Sequence, residues 1–147
     1  MSFFGSMNVS ASGMTAQRLR MDTISQNIAN VNTTRGADGL PYRRKTVVFE
    51  EINQRNNFKG MLNDYLNDYS SNGGVKVSKI IEDDAPFIRT FDPSHPDADE
   101  NGYVARPNVN TIEEMTNLIS ANRSYEANIT AFNATKSMVS SALNIGR

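Results

Sequence analysis

Residues Asn110 to Gly146 read NTIEEMTNLISANRSYEANITAFNATKSMVSSALNIG, and the punctuation of this stretch decides the fold. Asn110 is a fitting N-cap, because its side-chain oxygen accepts from amide groups that a first helical turn leaves free. Glu113 follows three residues later, a capping-box arrangement, and Glu114 places negative charge at the positive end of the helix dipole. Met115, Leu118, Tyr125, Ile129, Phe132, Val139 and Leu143 then recur at helical spacing and form one apolar seam. Asn122 and Lys136 are polar intrusions in it; an asparagine in such a seam sets register at some cost in stability. Gly146 suits the stop.

The other end of the chain mirrors this pattern. Phe4, Met7, Ala11 and Met14, then Met21, Ile24, Ile28 and Val31, follow the same spacing, with Gln17 and Arg18 interrupting the seam. Gly5 and Gly13 each cost such a helix up to about 1 kcal/mol, and its Ser, Thr and Asn residues add smaller penalties. Alone in water it is predicted to be marginal, and to end near Asn30–Asn32 ahead of Gly36. Each helix has one apolar seam and no core of its own, so the two are expected to pair. The predicted class is α+β: a coiled-coil-like assembly domain from residues 1–33 and 110–147, bracketing a small β-rich domain at 34–109.

Charge supports that division. The terminal segments hold Arg18, Arg20, Asp22, Glu113, Glu114, Arg123, Glu126, Lys136 and Arg147, whereas residues 34–109 hold the other 22 charged groups. A solvent-facing helix ordinarily carries a charged outer face. These carry Ser, Thr, Asn and Gln, which tolerate a protein neighbour at a lower desolvation cost. The plainer reading is two mildly polar surface helices.

In the middle, residues 37–41 read as a turn, Tyr42 to Ile52 as a strand, and Val75 to Ile81 as a second strand opened by Asn72-Gly73-Gly74. Glu82-Asp83-Asp84 is a polar turn and Pro86 to Phe91 a third strand, giving a small sheet that needs a covering partner. Phe58, Met61, Leu62, Tyr65, Leu66 and Tyr69 mark one face of a helix within 53–72. It either covers the sheet or is an exposed contact element; the apolar surface otherwise left bare favours covering.

Much is excluded. Net charge is −1, and the Arg43-Arg44-Lys45 run leads into Thr46-Val47-Val48-Phe49 as the polar start of a strand, so no nucleic-acid partner is expected. The chain has no cysteine, hence no disulfide, thiolate site or thiol nucleophile. It has no stretch of about 20 apolar residues and no basic segment leading into an apolar run, so neither a membrane span nor a conventional cleaved signal peptide is expected. Asp97-Ala98-Asp99-Glu100-Asn101-Gly102 reproduces the first half of a calcium loop, but its twelfth position is Asn108, which cannot supply a bidentate carboxylate. A turn-rich acidic loop explains the same residues; the rival reading is a calcium-responsive module with a coiled-coil dimer. Asp92 beside His95, the chain's one histidine, lacks a nucleophile arranged by motif. No catalytic, cofactor-binding or metal residue is assigned, and nothing supports an enzyme.

Asn27-Ile28-Ala29-Asn30-Val31-Asn32-Thr33 resembles the N-terminal motif of the flagellar rod and hook family of bacterial axial proteins, with Asn27, Ala29, Asn30, Asn32 and Thr33 as its marked positions. The block Asp92-Pro93-Ser94-His95-Pro96, Ala98 to Val104, Pro107-Asn108-Val109-Asn110, Glu114-Met115, Arg123 to Asn128, Lys136-Ser137-Met138 and the Leu143–Gly146 end is similar to the proximal-rod branch of that family, another axial subunit being the near alternative. The resemblance implies a structural subunit exported unfolded by the flagellar type III apparatus, polymerising into the drive shaft across the cell envelope. Partners so implied are further copies of the chain, the rod proteins FlgB, FlgF and FlgG, the FliE adaptor and the export apparatus. Phe3 and Met7 resemble an export-gate recognition element, although both also open the helix seam. The 53–72 segment looks like an insertion relative to shorter family members.

Overall fold

In a computed structural model, the described residues are 3–36, 38–52, 62 and 73–145. Helix α1 (Phe3–Ala29) is followed by strands β1 (Lys45–Glu51), β2 (Val75–Glu82), β3 (Ile88–Phe91) and β4 (Tyr103–Arg106), and by helix α2 (Thr111–Ile145). The α+β class follows directly: two long helices with a small β region between them.

Both helices end where their chemistry dictates. The Ile112 amide donates to Asn110 Oδ1 at 3.1 Å, so Asn110 is the N-cap of α2. Helix α1 closes as the Asn30 amide bonds Gln26 O and the Val31 amide bonds Ile28 O, a tightening of the last turn.

The β region differs from the expected three-stranded sheet. Among the described residues it is two sheets of two strands, β1 with β2 and β3 with β4. Strand β4 is additional to the three strands expected; Gly102 and Pro107 are its punctuation. Strand β1 starts at Lys45 rather than Tyr42 because the amides before it are used elsewhere: Tyr42 N bonds Thr33 O, and Arg44 N bonds Asn108 Oδ1. Strand β3 starts beyond Pro86, which has no amide hydrogen to offer. The helix expected within 53–72 lies outside the described residues, apart from Leu62.

The residues pack as two compact units, one of Met1–Leu19, Phe49–Ser78 and Ala121–Arg147, the other of Arg20–Val48 and Lys79–Ser120. In the first, α1 meets α2 where side chains are small. A Cβ placed on Gly13 would lie 2.8 Å from Asn128 Oδ1, so glycine permits the approach. Ser12 Oγ accepts from Val75 N at 3.1 Å and donates to Val9 O, joining the start of β2 to α1. In the second unit, β3 and β4 pair antiparallel with Phe91 opposite Tyr103 and Thr90 opposite Val104. Val104 is wholly buried, whereas Phe91 and Tyr103 meet edge to face at 5.3 Å on the outer face.

The core is thin in apolar groups. Its buried members are Ala16, Ile24, Val104, Val109 and Ala121, beside buried Ser10, Thr23, Asn27, Glu114 and Thr135. On α2 one line of buried and half-buried positions runs through 114, 118, 121, 125, 128, 132, 135 and 139. This line shares Leu118, Tyr125, Phe132 and Val139 with the apolar seam but takes Glu114 and Ala121 in place of Met115 and Asn122.

The loop joining β3 to β4 is a nest of turns around Asp99. Its Oδ1 accepts from the amides of Asn101 and Tyr103, its own amide bonds Tyr103 O, and Gly102 N bonds Asp99 O. Gly102 has φ +77°, and a Cβ there would lie 3.0 Å from the Phe91 ring. Gly102→Ala is therefore expected to cost about 1–3 kcal/mol, through left-handed strain and contact with Phe91, read as a lower midpoint in chemical denaturation of the purified chain.

Candidate functional site

The densest polar arrangement lies in the second unit and is centred on Asn27, near the end of α1. Asn27 is fully buried and uses its whole hydrogen-bonding capacity. Its Nδ2 donates to Lys45 O at 2.9 Å and to Glu114 Oε2 at 2.8 Å. Its Oδ1 accepts from Lys45 N at 2.9 Å and from the Tyr42 hydroxyl at 2.8 Å. One side chain thus ties α1 to the start of β1 and to the first turn of α2.

Among the described residues Glu114 is the largest fully buried side chain, 1% exposed. A carboxylate so placed needs a cation and hydrogen bonds together. Arg44 supplies both: its Nε donates to Glu114 Oε1 at 2.8 Å, and its Nη2 lies 2.8 Å from the same oxygen. The guanidinium also reaches Glu113 at 3.4 Å and Asp83 at 3.7 Å. Burial works to lower the Arg44 pKa, but the hydrogen bond and charge of Glu114, with Glu113 and Asp83, outweigh it and hold the group above its ordinary value. Burial raises the Tyr42 pKa first, and the charges of Glu82 and Glu114 raise it further. Asn108 closes the arrangement, accepting from Arg44 N and donating to Asp83 O and Ala85 O.

The motif residues divide by face. Asn27, Asn30 and Thr33 bond within the chain: Asn30 Nδ2 donates to Gln26 O, and Thr33 Oγ1 donates to Asn30 Oδ1. Ala29 and Asn32 are exposed. Of the seam residues, Ile24 is buried; Met7, Met14, Met21, Ile28, Val31, Leu118, Tyr125, Ile129, Phe132 and Val139 are half-buried; Met115 and Leu143 are exposed. Phe3 opens α1.

The sequence alone does not mark Arg44, Tyr42, Glu114 and Asn108 as a site: it gives Arg44 as the polar lead of a strand, Asp83 as part of a polar turn, and Glu114 as a charge for the helix dipole. A usable signal existed, since Glu114 stands on the 114–118–121–125 line beside small Ala121, and the Arg43-Arg44-Lys45 run needs acidic partners.

The acidic loop spends its oxygens internally. Asp97 Oδ2 accepts from Thr34 Oγ1 at 2.8 Å and Asp97 Oδ1 lies 3.8 Å from Arg35, while Asp99 caps the turn before β4. Asn108, the twelfth position, faces Arg44 and Asp83. Among the described residues no group of three or more His, Asp or Glu side chains is placed to hold a metal ion. His95 Nδ1 accepts from Asp97 N, and Asp92 accepts from Ser94 Oγ, which holds the Asp92 carboxyl below its usual range. These are turn-forming bonds. Among the described residues no helix is long and apolar enough to cross a membrane.

Two expectations follow from this cluster. Arg44→Met strands the buried Glu114 carboxylate and should cost about 3–5 kcal/mol, most of it recovered in Arg44→Met/Glu114→Met, as thermal melts of the three chains would read. Tyr42→Phe should cost about 1 kcal/mol near neutral pH by removing the bond to Asn27. Because folding raises the Tyr42 pKa, its proton contributes stability that is complete below the ordinary phenol value of 10.0 and is lost as pH rises through the raised one. Denaturation at increasing alkaline pH should show that decline in the parent chain and a shallower one in Tyr42→Phe.

Comparison with known proteins assigns the cluster a context. A family model described as "Flagella basal body rod protein" matches residues 7–37, which hold Asn27 and its motif. One described as "Flagellar basal body rod FlgEFG protein C-terminal" matches residues 100–145, which hold Asn108 and Glu114. The chain is 49% identical to the flagellar basal-body rod protein FlgC of Bacillus subtilis, with all of both chains covered. It is 49% identical to FlgC of Borreliella burgdorferi, over 99% of this chain and 98% of that one. It is 39% identical to FlgC of Escherichia coli O157:H7, again with all of both chains covered. With family models matching at both ends and relatives matching over its full length, this chain belongs to the FlgC family of flagellar basal-body rod proteins.

Proposed function

We infer that the chain is a structural subunit of the flagellar basal-body rod, without catalysis, whose terminal helices form the packed inner part of the shaft and whose residues 34–109 form an outer domain. The observation that carries this reading is an inversion of the usual burial pattern. Among the described residues the buried groups are mostly polar or small, Asn27, Glu114, Thr23, Ser10, Thr135, Ala16 and Ala121 beside Ile24, Val104 and Val109, while Phe4, Ile112, Met115, Ile119, Met138 and Leu143 stand exposed on the helices. Exposed apolar groups of this number on two long helices call for protein neighbours.

Export follows the same logic. Helices with Gly5, Gly13 and many Ser, Thr and Asn residues unfold at low cost, which suits passage through the flagellar type III apparatus. Phe3 and Met7 would present the export-gate element. At the growing end, ordering of the helices is offset by burial of Met14, Met21, Tyr125, Phe132 and the exposed groups against neighbours. Contacts between unlike patches with a rotation that does not close generate a helical tube. Torque is then shared over many seams as the shaft crosses the envelope. The neighbours in this reading are further copies of the chain, the rod proteins FlgB, FlgF and FlgG, and the FliE adaptor.

The test is presence in detergent-extracted hook–basal bodies from strains with and without the export apparatus. The parent chain should be present only with export, and Ile129→Asp, which puts a charge on the α2 seam, should be secreted yet absent from the particles and leave cells non-motile. Motile cells with Ile129→Asp in their basal bodies would overturn the seam assignment, and a parent chain that never enters the particle would overturn the rod reading.

A further inference from the structure

Two exposed patches of the second unit have complementary chemistry. The first is the outer face of the β3–β4 hairpin. Phe91 and Tyr103 are cross-strand partners, 63% and 43% exposed, and Arg89, two residues before Phe91, lies on the same face. The pair is firmly set: the rings meet edge to face, and Phe91 rests against Gly102, where even a Cβ would crowd it. Arg89 is exposed and has no acidic partner among the described residues. Fixed aromatic rings beside an arginine form the composition that concentrates binding energy at protein interfaces.

The second patch is the outward stripe of the first turns of α2. Ile112, Met115 and Ile119 follow helical spacing and are 78%, 51% and 56% exposed, while Glu114 and Ala121 of the same helix face inward. Glu113 borders this stripe with a largely exposed carboxylate, whose contact with Arg44 at 3.4 Å is longer than the 2.8 Å of the buried Arg44–Glu114 pair. The first patch offers aromatic faces and an unmatched cation. The second offers aliphatic and thioether side chains and an under-used anion.

We propose that the hairpin face of one copy docks on the α2 stripe of a second copy, with Phe91 and Tyr103 over Ile112 and Met115, and Arg89 paired with Glu113. The patches are unlike, so the contact is heterologous and repeats from copy to copy without consuming its own ends. A point-charge pair at the margin of an apolar contact fixes which way the hairpin lies, since the reversed orientation leaves Arg89 unmatched. The proposal rests on the rod reading, because the contact need be strong only where many copies are held together.

Because the chain has no cysteine, the contact can be trapped directly. Arg89→Cys/Glu113→Cys, expressed as the full chain in place of the parent and oxidised in purified basal bodies, should give a reducible ladder of dimers and larger species. Each single cysteine variant should stay monomeric. Arg89→Glu should lower incorporation by about tenfold or more, and Arg89→Glu/Glu113→Arg should restore most of it. Circular dichroism of the purified variants separates loss of contact from loss of fold, and Arg89→Gln, with an intermediate defect expected, gives a second reading if Arg89→Glu does not fold. A double-cysteine chain that enters basal bodies but stays monomeric, or a charge swap that folds and does not restore incorporation, overturns the contact while leaving the rod reading intact. Absence of the parent chain from the particles is the separate result that removes the reading beneath it.

Discussion

A carboxylate buried among helices dictates the arrangement of whatever surrounds it. Glu114 occupies a place where an ordinary helix pair would put leucine, and leaving its charge unmet there would cost several kcal/mol. The chain meets it with Arg44 at 2.8 Å and with the amide of Asn27 at 2.8 Å. Asn27 then holds both the carbonyl and the amide of Lys45, so α1, the entry to β1 and the start of α2 are fixed by one set of bonds. A leucine pair at the same places would tolerate sliding by a turn. A fully satisfied amide, carboxylate and guanidinium do not, because every shifted register leaves a buried group unpaired.

The other unit obeys a different constraint. There the helices meet at Gly13 and Asn128, beside buried Ser10, Ala16 and Thr135, and the contact is close because the residues are small. Small side chains bring backbones together but bury little apolar area, at roughly 25 cal/mol per Å². Of the larger apolar groups of these segments, Phe4, Met138 and Leu143 are exposed, while Met7, Met14, Tyr125, Ile129, Phe132 and Val139 are half-buried. Register is therefore set by polar bonds in one unit, while part of the apolar stabilisation available to the other lies on its outside.

Local pattern was enough for the elements. Asn110 as a cap, the helical seams, and the runs of Val, Ile, Thr and Phe placed both helices and three strands, because each signal lies within a few residues of what it specifies. Strand β4 escaped since four residues after an acidic loop carry almost no period. The polar cluster escaped for a deeper reason. Asn27 and Glu114 are 87 residues apart, and a search for apolar periodicity assigns a charged residue to the surface by default. The apolar seam on α2 runs through Met115 and Asn122, whereas the buried line runs through Glu114 and Ala121, one residue away. Half of the seam serves both faces, since Leu118, Tyr125, Phe132 and Val139 belong to each.

That one-residue offset has a mechanical meaning for a rod subunit. Had the apolar seam coincided with the buried face, each chain would satisfy itself and gain little from a neighbour. With Glu114 facing inward, Met115 and Ile119 face outward, where burial is realised only against another protein. The rotation is held by the Arg44–Glu114 pair, because any turn of α2 that hid Met115 would carry the carboxylate toward solvent and leave Asn27 short of a partner. The polar cluster thus specifies the internal register and, in the rod reading, preserves an apolar outer surface for assembly.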